Sequence, residues 1–569
     1  MPPSPWFQNH QPQPHKSASW VEYLRWSRVT PSDGTEKSGT IMELFQKFEQ
    51  GDYSHHLERL CQRTKDLAGE NNWFITQCPW RIRVGGVRGP EEMLLPAFNH
   101  IGIPYIPSST LKGIARATAK REIDERELNK IFGSIDGDAT QMGQVVFLDA
   151  YPNSKGDDLG GLQLDMANQI WKWEGDTAPT YKTNPNLFIS LEQPSFVIGL
   201  RQGTSSHETF QRVMGWLKKG LATGIGAQVN SGYGVLETEE IKLPRILPPI
   251  KFKLKGQLIH GHQEFVRWER TNDNRGWKPP GKAVEEVRST AFRSMLRYWF
   301  RALALGVLPQ SNVHSLEHEI FGGIDPQQQK TGNFRLVVSG SITQSLNRQS
   351  PGIMEGQLKF YVCPQANRQI PEDNLKTFLQ TLTWLMVHLG GVGQGARRPC
   401  HKRNNNPYWR GATLTITNNH SYWQDPSSLT KFQALFAKRM KKFYSILQEL
   451  SGVHCNWSNP RSVEPNPNRL RWAEAIDRQC KIVCVSGRST NHKPFALAKL
   501  HELAYGNRGY NPALCGNSND KPSPIWIAAL EHYQVVTVFG ATEAPRKGYI
   551  DELCKKKNGS TFVKLWPLH

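Results

Sequence analysis

Three short motifs occur twice in this chain, in the same order. They are a serine-containing turn that carries basic residues, an IFG motif and a glycine-rich segment. Their positions are 106–116 (IPSSTLKGIAR), 131–136 (IFGSID) and 224–228 (GIGAQ) in the first copy, and 287–297 (VRSTAFRSMLR), 320–325 (IFGGID) and 393–397 (GQGAR) in the second. Chance similarity rarely preserves both order and approximate spacing, so the repeat predicts a duplicated domain.

The alternation of elements predicts an α+β fold. Each copy reads as strand, helix, strand, then helix and strand, which is consistent with a ferredoxin-like core that carries insertions. The proline-rich segment LPRILPPI at 243–250 is the best candidate for a domain boundary. We therefore expect one domain at 1–245 and a second at 246–569, with a large insertion at about 425–520.

Length and charge restrict the possible functions. A chain of 569 residues exceeds one core, since domains usually have roughly 100–200 residues. The 70 Lys and Arg against 50 Asp and Glu give a net charge of +20, which favours a polyanionic partner such as nucleic acid. The alternative at this level is a merely basic protein.

The cysteines and the hydropathy pattern predict a cytoplasmic protein without membrane contact. The nine cysteines are odd in number and scattered, which fits a reducing compartment better than a disulfide framework. The first 20 residues lack the apolar core of a signal peptide, and no run of 18 apolar residues occurs.

The first class of candidate site residues belongs to the two basic turns. A helix N-terminus offers free amides and a partial positive charge, which suit a phosphate group, and basic side chains four residues apart lie on one helix face. The usual alternative is a solvated helix face. The candidate residues for contact with an RNA backbone are Ser108, Ser109, Lys112 and Arg116 in the first copy, and Arg288, Arg293, Arg297 and Arg301 in the second.

The second class belongs to the glycine-rich loops. Glycine lets a backbone approach a polyanion closely, and Tyr408 and Trp409 could stack on bases. A tight turn between helix and strand is the structural alternative, and the strict GxGxxG spacing of dinucleotide-binding proteins is absent. The candidates are Gly224, Gly226, Gly232 and Tyr233 in the first loop, and Gly393, Gly395, Arg397, Arg398, Lys402, Arg403 and Arg410 in the second.

A carboxylate before a basic turn would be needed for metal-dependent RNA cleavage. The first copy offers Glu91 and Glu92 there but no Asp, whereas the second offers Asp273. A solvated loop charge is the ordinary alternative for Asp273. Cys480 and Cys484 are four residues apart but lack a second cysteine pair, so no metal site is predicted from them.

The motifs together resemble those of RAMP proteins of type III CRISPR effector complexes. The carrying residues are IPYIPSSTLKGIARA, IFGS, GQVVFLDAYP and the late GYG. The first half is similar to subunit six of Cmr-type complexes, although Ser108 stands where the family usually has glycine. The second half, with EVRSTAFRSMLRYWFRAL, is similar to subunit one or to a related backbone RAMP. Residues 425–520 carry no resemblance.

The resemblance implies two tandem ferredoxin-like, RRM-related domains that bind CRISPR RNA toward the 3′ end of the guide. Its implied partners are target RNA and other RAMP and large-subunit proteins of the complex. Lys112, Arg116 and the 224–234 loop would hold guide RNA in the first domain, and Arg88 lies in the loop before that turn. In the second domain, the corresponding residues would be Arg288, Arg293, Arg297 and the 393–403 loop.

Three functional hypotheses stay open from the sequence. The leading one is a guide-binding subunit without catalysis of its own and without a required cofactor. The second is an endoribonuclease that cleaves guide-paired target RNA through Asp273 with Mg²⁺, since backbone RAMPs cleave through an Asp in this loop. The third is an endonuclease that processes repeat RNA.

Overall fold

The computed structural model describes residues 39, 42, 43 and 45 and most of the range 53–568. The gaps within that range are 86–95, 137–138, 154–160, 168–170, 173–179, 182–185, 242, 271–276, 279–280, 325–328, 365, 367, 405–407, 466–471, 489–491, 507–508, 517–521 and 556–559. The chain forms two compact units. Unit 1 comprises Met1–Ala167, Pro185–Pro244 and Gly261–Val284, and unit 2 comprises Asn168–Asn184, Arg245–His260 and Glu285–His569.

Helices and strands alternate along the first 244 residues. They are α1 (Ser54–Ala68), β1 (Trp73–Gln77), β2 (Arg81–Ile82), α2 (Ser108–Ala119), α3 (Glu125–Phe132), β3 (Gly133–Asp136), β4 (Ala139–Met142), β5 (Val146–Phe147), β6 (Tyr151–Pro152), β7 (Leu162–Ala167), β8 (Trp171–Lys172), β9 (Thr180–Tyr181), β10 (Asn186–Glu192), β11 (Ser195–Arg201) and α4 (His207–Thr223). The short hairpin of β8 and β9 is assigned to unit 2, and the other elements belong to unit 1.

The core of unit 1 lies between an antiparallel sheet and its helices. The strand order is β1-β11-β5, β6 also pairs with β11, and a bridge from Gln77 to Glu237 adds residues after α4 beside β1. Leu111, Ala115 and Ala119 are buried at a spacing of four, so one face of α2 packs inward. A second sheet has the order β2-β10-β7, and β3 pairs with β4 as a hairpin.

The chain from 245 to 416 forms the next module, except for residues 261–284, which are assigned to unit 1. Its elements are β12 (Ile250–Gly256), β13 (His260–Phe265), β14 (Glu269–Arg270), β15 (Trp277–Lys278), β16 (Gly281–Glu285), α5 (Ser289–Leu305), α6 (Gln310–Phe321), β17 (Gly323–Ile324), β18 (Gln329–Lys330), β19 (Phe334–Gln344), β20 (Gly352–Val362), α7 (Glu372–Leu389), β21 (His401–Lys402), β22 (Trp409–Arg410) and β23 (Ala412–Ile416). Hairpins join β13 to β16, β14 to β15, β17 to β18 and β21 to β22.

The main sheet of this module has the strand order β19-β20-β12-β23. β12 shows the alternation of a strand with one buried face, because Ile250, Phe252 and Leu254 are buried. Its lysines, 251, 253 and 255, occupy the alternate positions and are exposed or half-buried. Helices α5 and α7 supply buried aromatic and aliphatic residues to the same core as β12.

The remaining chain, which belongs to unit 2, forms a further module with a sheet of its own. Its elements are α8 (Leu429–Ser451), β24 (Lys481–Ser486), α9 (Phe495–Ala504), β25 (Tyr505–Gly506), β26 (Gly509–Tyr510), α10 (Pro512–Cys515), β27 (Ile525–Ala529), β28 (Gln534–Val538), α11 (Arg546–Leu553) and β29 (Thr561–Trp566). The sheet order is β27-β28-β24-β29. The range 425–520, expected to be an insertion, therefore contains α8 and the first part of this module.

One strand order recurs in these sheets. In the two four-stranded sheets of unit 2, the first strand of the module lies between its third and fourth strands, and the second strand is at an edge. In unit 1 the same arrangement is completed by the bridge from Gln77 to Glu237. The mixture of helices and antiparallel sheets confirms the predicted α+β class. None of the described helices is long and apolar enough to cross a membrane.

Candidate nucleic-acid interface

The first basic turn forms the N-terminus of α2, where the first backbone amide already donates to an acidic side chain of unit 1. α2 begins at Ser108, and its backbone amide donates to Asp149 Oδ1 at 2.7 Å. Ser109 is exposed and Lys112 is half-buried one turn further along. Because the Asp149 carboxylate uses the leading amide, an RNA phosphate here would depend on the side chains of Ser109 and Lys112 more than on the helix end.

The repeated arginines bind the repeated IFG motifs. Arg116 Nη1 donates to the carbonyl of Gly133 at 3.0 Å, and Arg297 Nη2 donates to the carbonyl of Gly322 at 2.7 Å. Gly133 and Gly322 are the glycines of the two IFG motifs, and Arg116 and Arg297 occupy the same position in the two turns. The motifs recur together because one of them hydrogen-bonds the other, which is a structural explanation for part of the duplicated pattern.

The arginine stripe predicted on α5 is largely inside unit 2. Arg293 is buried, donates to the carbonyls of Phe321 and Phe334, and lies over the Phe334 ring. Burial lowers the pKa of Arg293 below its ordinary value. Arg301 Nη2 donates to Glu317 Oε1 at 2.6 Å, and both residues are buried.

Arg288 is buried as well, with 3% of its surface exposed, and so is the adjacent Ser289, whose hydroxyl accepts from the amide of Val338. These positions correct the prediction that Arg288, Arg293 and Arg301 contact RNA, since an RNA phosphate cannot reach them without opening the core. Arg297 is partly exposed but is also paired with Glu317.

The first glycine loop folds back on its own domain. The φ angles of Gly224, Gly226 and Gly232 are 99°, 79° and 92°, in the region that favours glycine. The amide of Ala227 donates to the carbonyl of Arg83 at 2.9 Å, and that of Gly234 donates to the carbonyl of Arg81 at 2.7 Å. The loop glycines therefore allow a close approach between two segments of unit 1. Gly226 is exposed, whereas Gly224, Gly232 and Gly234 are buried.

Tyr233 is not available for stacking on a base. It is fully buried, and its hydroxyl donates to Asp165 Oδ2 at 2.6 Å. Asp165 also pairs with Arg81 at 3.1 Å and accepts from the hydroxyl of Ser190 at 3.1 Å. The prediction for Tyr233 is wrong for this reason: its polar end belongs to a buried network that joins β2, β7, β10 and the glycine loop.

The second glycine loop makes equivalent contacts. The φ angles of Gly393 and Gly395 are 109° and 72°. The amide of Gln394 donates to the carbonyl of Leu258 at 3.2 Å, and that of Gly411 donates to Gln257 Oε1 at 2.9 Å. As in the first copy, the loop binds the chain just beyond the first strand of its module.

The first two arginines of this loop connect it to the C-terminal module. Arg397 pairs with Glu474 at 2.7 Å and lies 4.6 Å from the ring centre of Trp526. Arg398 Nη2 donates to the hydroxyl of Ser523 at 2.7 Å, and its Nη1 donates to the carbonyl of Ile525. Burial lowers the pKa of Arg398, and burial raises the pKa of Glu474. These contacts give Arg397 and Arg398 a structural role, and RNA binding by the two residues stays a prediction.

The basic residues beyond this point lie at the surface. In the hairpin of β21 and β22, His401 pairs with Arg410 and Lys402 pairs with Trp409. Lys402 and Arg410 are exposed, and Arg403 is half-buried. Tyr408 and Trp409 are half-buried, and the guanidinium of Arg348 lies 5.6 Å from the centre of the Tyr408 ring. We call residues 401–410 the basic hairpin, of which residues 405–407 are outside the described part.

The structure adds residues that sequence reasoning missed. His501 on α9 lies beside His401, with ring centroids 6.0 Å apart, and Lys493 precedes the same helix. Burial first, and then Lys493, His401, Arg398 and Arg403, lower the pKa of His501 to about 3. His401 and His501 are 100 positions apart in sequence, so no local pattern could have paired them.

Two predicted residues, Arg88 and Asp273, lie outside the described residues, as do Glu91 and Glu92. Asp273 follows β14 in the segment framed by β13 and β16, most of which belongs to unit 1. In the described part of the chain, no cluster of three or more His, Cys, Asp or Glu side chains could hold a metal ion. Cys480 and Cys484 are buried thiols, and burial raises the pKa of each.

Comparison with known proteins identifies the class of the first unit. Residues 73–237 match the sequence model of the RAMP superfamily. For this part of the chain, the match confirms the resemblance predicted from the motifs. None of the curated proteins compared with the sequence matches it significantly.

Solved structures give more distant likenesses. Cmr6 from Pyrococcus furiosus is 20% identical, with 29% of this chain and 97% of that chain covered and a TM-score of 0.18. A type III-B Cmr-beta structure, bound to cognate target RNA, is 10% identical over 52% of this chain and 94% of that chain, with a TM-score of 0.30. A second Cmr-beta structure, with target RNA and AMPPnP in the presence of single-stranded DNA, has 10% identity, coverages of 52% and 95%, and a TM-score of 0.29.

Proposed function

We propose that this protein is a CRISPR RNA-binding subunit of a type III RNA-guided effector complex. The observation that carries the proposal is the RAMP match over residues 73–237, together with the duplication of the RAMP motifs in the second half. The net charge of +20 supports a polyanionic partner. We further propose, from the motif resemblance, that the chain lies toward the 3′ end of the guide and positions target RNA beside other RAMP and large-subunit proteins.

The proposed architecture is a tandem of ferredoxin-like, RRM-related modules. The recurring strand order supports it, because the sheet β19-β20-β12-β23 places the first strand of the module between the third and the fourth. The sheet β27-β28-β24-β29 has the same order. Three modules rather than two then follow one another in the chain. The two glycine loops follow α4 and α7, the last helices of the first and second modules.

The RNA-contacting set is smaller than the duplicated motifs suggest. In the first module it consists of Ser109 and Lys112, which are accessible on α2. In the second module it consists of the accessible cations of the basic hairpin, which are Lys402, Arg403 and Arg410. Cations of this kind contact phosphates and set the affinity and its dependence on salt. Arg293 and Arg301 are excluded from the set because they are buried.

The experiment is co-expression of the chain with its neighbouring genes, purification of the assembly, and sequencing of the RNA that it retains. The proposal requires short RNAs that share a constant 5′ segment derived from a repeat. Heterogeneous RNA, or none, would contradict it. Incubating the same assembly with guide-complementary RNA and Mg²⁺ tests the alternative of target cleavage, for which loss of cutting in Asp273→Ala would be required.

A further inference from the structure

We propose that His401, Arg403, Lys493 and His501 form a binding site for a phosphate group of the RNA backbone. The site lies where the basic hairpin meets the last turn of α9, which holds His501, and Lys493 comes from the segment just before that helix, so the site is built from two successive modules of unit 2. This inference rests on the proposed function and deepens it, since it assigns RNA binding to the C-terminal module, which the duplicated motifs do not cover.

The histidine rings are held in place by the chain. His401 is 5% exposed and opens β21, and its Nδ1 lies 3.0 Å from the carbonyl oxygen of Pro399. The His501 ring meets the His401 ring nearly at right angles, with an interplanar angle of 72°. On the other side of His501, the Tyr505 ring lies 5.6 Å away, edge to face, and Tyr505 is 59% exposed.

The electrostatic surroundings of the pair are uniformly positive. The charges that act on His501 come from Lys493, Arg398 and Arg403, and the same three residues act on His401. In the described part of the chain, none of the charges that shift these two histidines is negative.

The nearby hairpin adds further basic groups, Lys402 and Arg410, which are exposed. On α9, the carboxylate of Glu502 is paired with Lys499 at 2.6 Å.

Such a cluster is incomplete without an anion. Like charges gathered at a partly buried position raise the energy of the folded state, and a bound phosphate would offset that cost. A neutral His501 can donate one ring N–H to a phosphate oxygen. The Nδ1 proton of His401 is donated to the Pro399 carbonyl, so His401 donates through Nε2 only in its protonated form, which a bound phosphate would favour. Lysine and arginine donate charge-assisted hydrogen bonds. The cluster therefore has both the donors and the unbalanced charge that a phosphodiester requires.

The surroundings favour a phosphate that belongs to a chain of nucleotides. Tyr408 and Trp409 lie on the same hairpin, and Tyr505 presents much of its ring to solvent on the other side of His501. Aromatic rings beside a track of cations are the arrangement by which proteins hold single-stranded RNA, since bases stack while the backbone is neutralised. A free phosphate ion would use the cations alone.

The size of the effect follows from counterion release. For a single strand, each neutralised phosphate contributes about 0.7 to the slope of log affinity against log salt, which is about fivefold in affinity at 0.1 M relative to 1 M salt. Loss of the two cations that hold this one phosphate therefore predicts an affinity about fivefold lower at 0.1 M salt, with the slope reduced by about 0.7.

The test uses the full chain and a fluorescently labelled single-stranded RNA, with affinity measured by anisotropy at several NaCl concentrations. The site variant is Lys493→Ala/Arg403→Ala, and the control is Lys376→Ala/Lys438→Ala, which removes the same charge from exposed positions of unit 2. We expect the site variant to lose affinity about fivefold and the control to stay within about twofold. The single variants Lys493→Gln and Arg403→Gln replace the double variant if its melting temperature falls.

The outcomes separate this inference from the proposed function. If the wild-type chain and its purified assembly bind no RNA, the proposed function fails. If the wild type binds RNA and the site variant binds with the same affinity and salt slope, or if both double variants weaken equally, only the phosphate site fails.

Inorganic phosphate at constant ionic strength distinguishes the two sources of the group. Displacement of RNA no greater than that by chloride supports an RNA site. A site for the free ion would instead be indicated if phosphate raises the melting temperature of the wild type but not of the variant, while both bind RNA equally.

Discussion

Replacing Arg301 with methionine should destabilise unit 2 without altering the salt dependence of RNA binding. Arg301 and Arg297 both pair with Glu317, and the Glu317 side chain is 1% exposed. Removing one partner of a buried ion pair costs roughly 3–5 kcal/mol, because the remaining charge stays buried. We expect about 3 kcal/mol here, since Arg297 still compensates part of the charge.

The assay is differential scanning calorimetry combined with RNA titrations. A loss of about 3 kcal/mol corresponds to roughly 4–5 °C for a unit of about 300 residues, since the entropy of unfolding is about 2.1 cal/mol/K per residue. The matched variant is Lys402→Ala, which removes one positive charge from an exposed position and should leave the melting temperature within about 1 °C. It should lower the salt slope by about 0.7, which Arg301→Met should not do. A normal melting temperature together with a reduced slope in Arg301→Met would refute the structural role.

Three further predictions follow from single contacts. Gly234→Ala should destabilise unit 1 by about 1–3 kcal/mol, because the φ angle of Gly234 is 69° and an added Cβ would lie 1.9 Å from the carbonyl oxygen of Ile225. Gly113→Ala, where an added Cβ on α2 meets open space, should instead stabilise unit 1 by up to about 1 kcal/mol. Chemical denaturation measures both changes. Tyr233→Phe should cost about 1–3 kcal/mol by removing a hydrogen bond to buried Asp165, and unchanged RNA affinity in a titration would confirm that its role is internal. Folding lowers the pKa of His501, so the unfolded state binds the proton first and the free energy of unfolding falls as the pH decreases from about 6.5 toward 3. His501→Gln should therefore weaken the dependence of the melting temperature on pH in this range. A pH dependence identical to that of the wild type would contradict the assignment.

The alternation of predicted helices and strands was enough to predict the α+β class, because it depends on local pattern. The alternation in β12 and the glycine that follows α4 are visible in the sequence. The burial of the arginines on α5 could not be predicted from the sequence. Arg301 binds Glu317, which is 16 positions away, and Arg293 donates to main-chain carbonyls, which no residue pattern marks. The sequence pattern of arginines along one helix face is the same whether that face is exposed to solvent or packs against a buried carboxylate.

The C-terminal module escaped prediction for a different reason. Its sheet is covered on both faces, because Ile482 and Cys484 point into one core while Val483 and Val485 point into another. A strand buried on both sides has no alternation of polar and apolar residues, so β24 and β27 read as short apolar runs without a period. The module also lacks the IFG and glycine-loop motifs, so the internal repeat did not reveal it.

Ultraviolet crosslinking of the purified assembly, followed by mass spectrometry of RNA-linked peptides, tests the central claim most directly. The account predicts crosslinks in the basic hairpin at 401–410, near Tyr505, and around Ser109 and Lys112 on α2. It predicts none to Tyr233 or to Arg293 and Arg301 on α5, which are buried. Crosslinks concentrated on those buried residues, or retained RNA that crosslinks to no part of this chain, would contradict it.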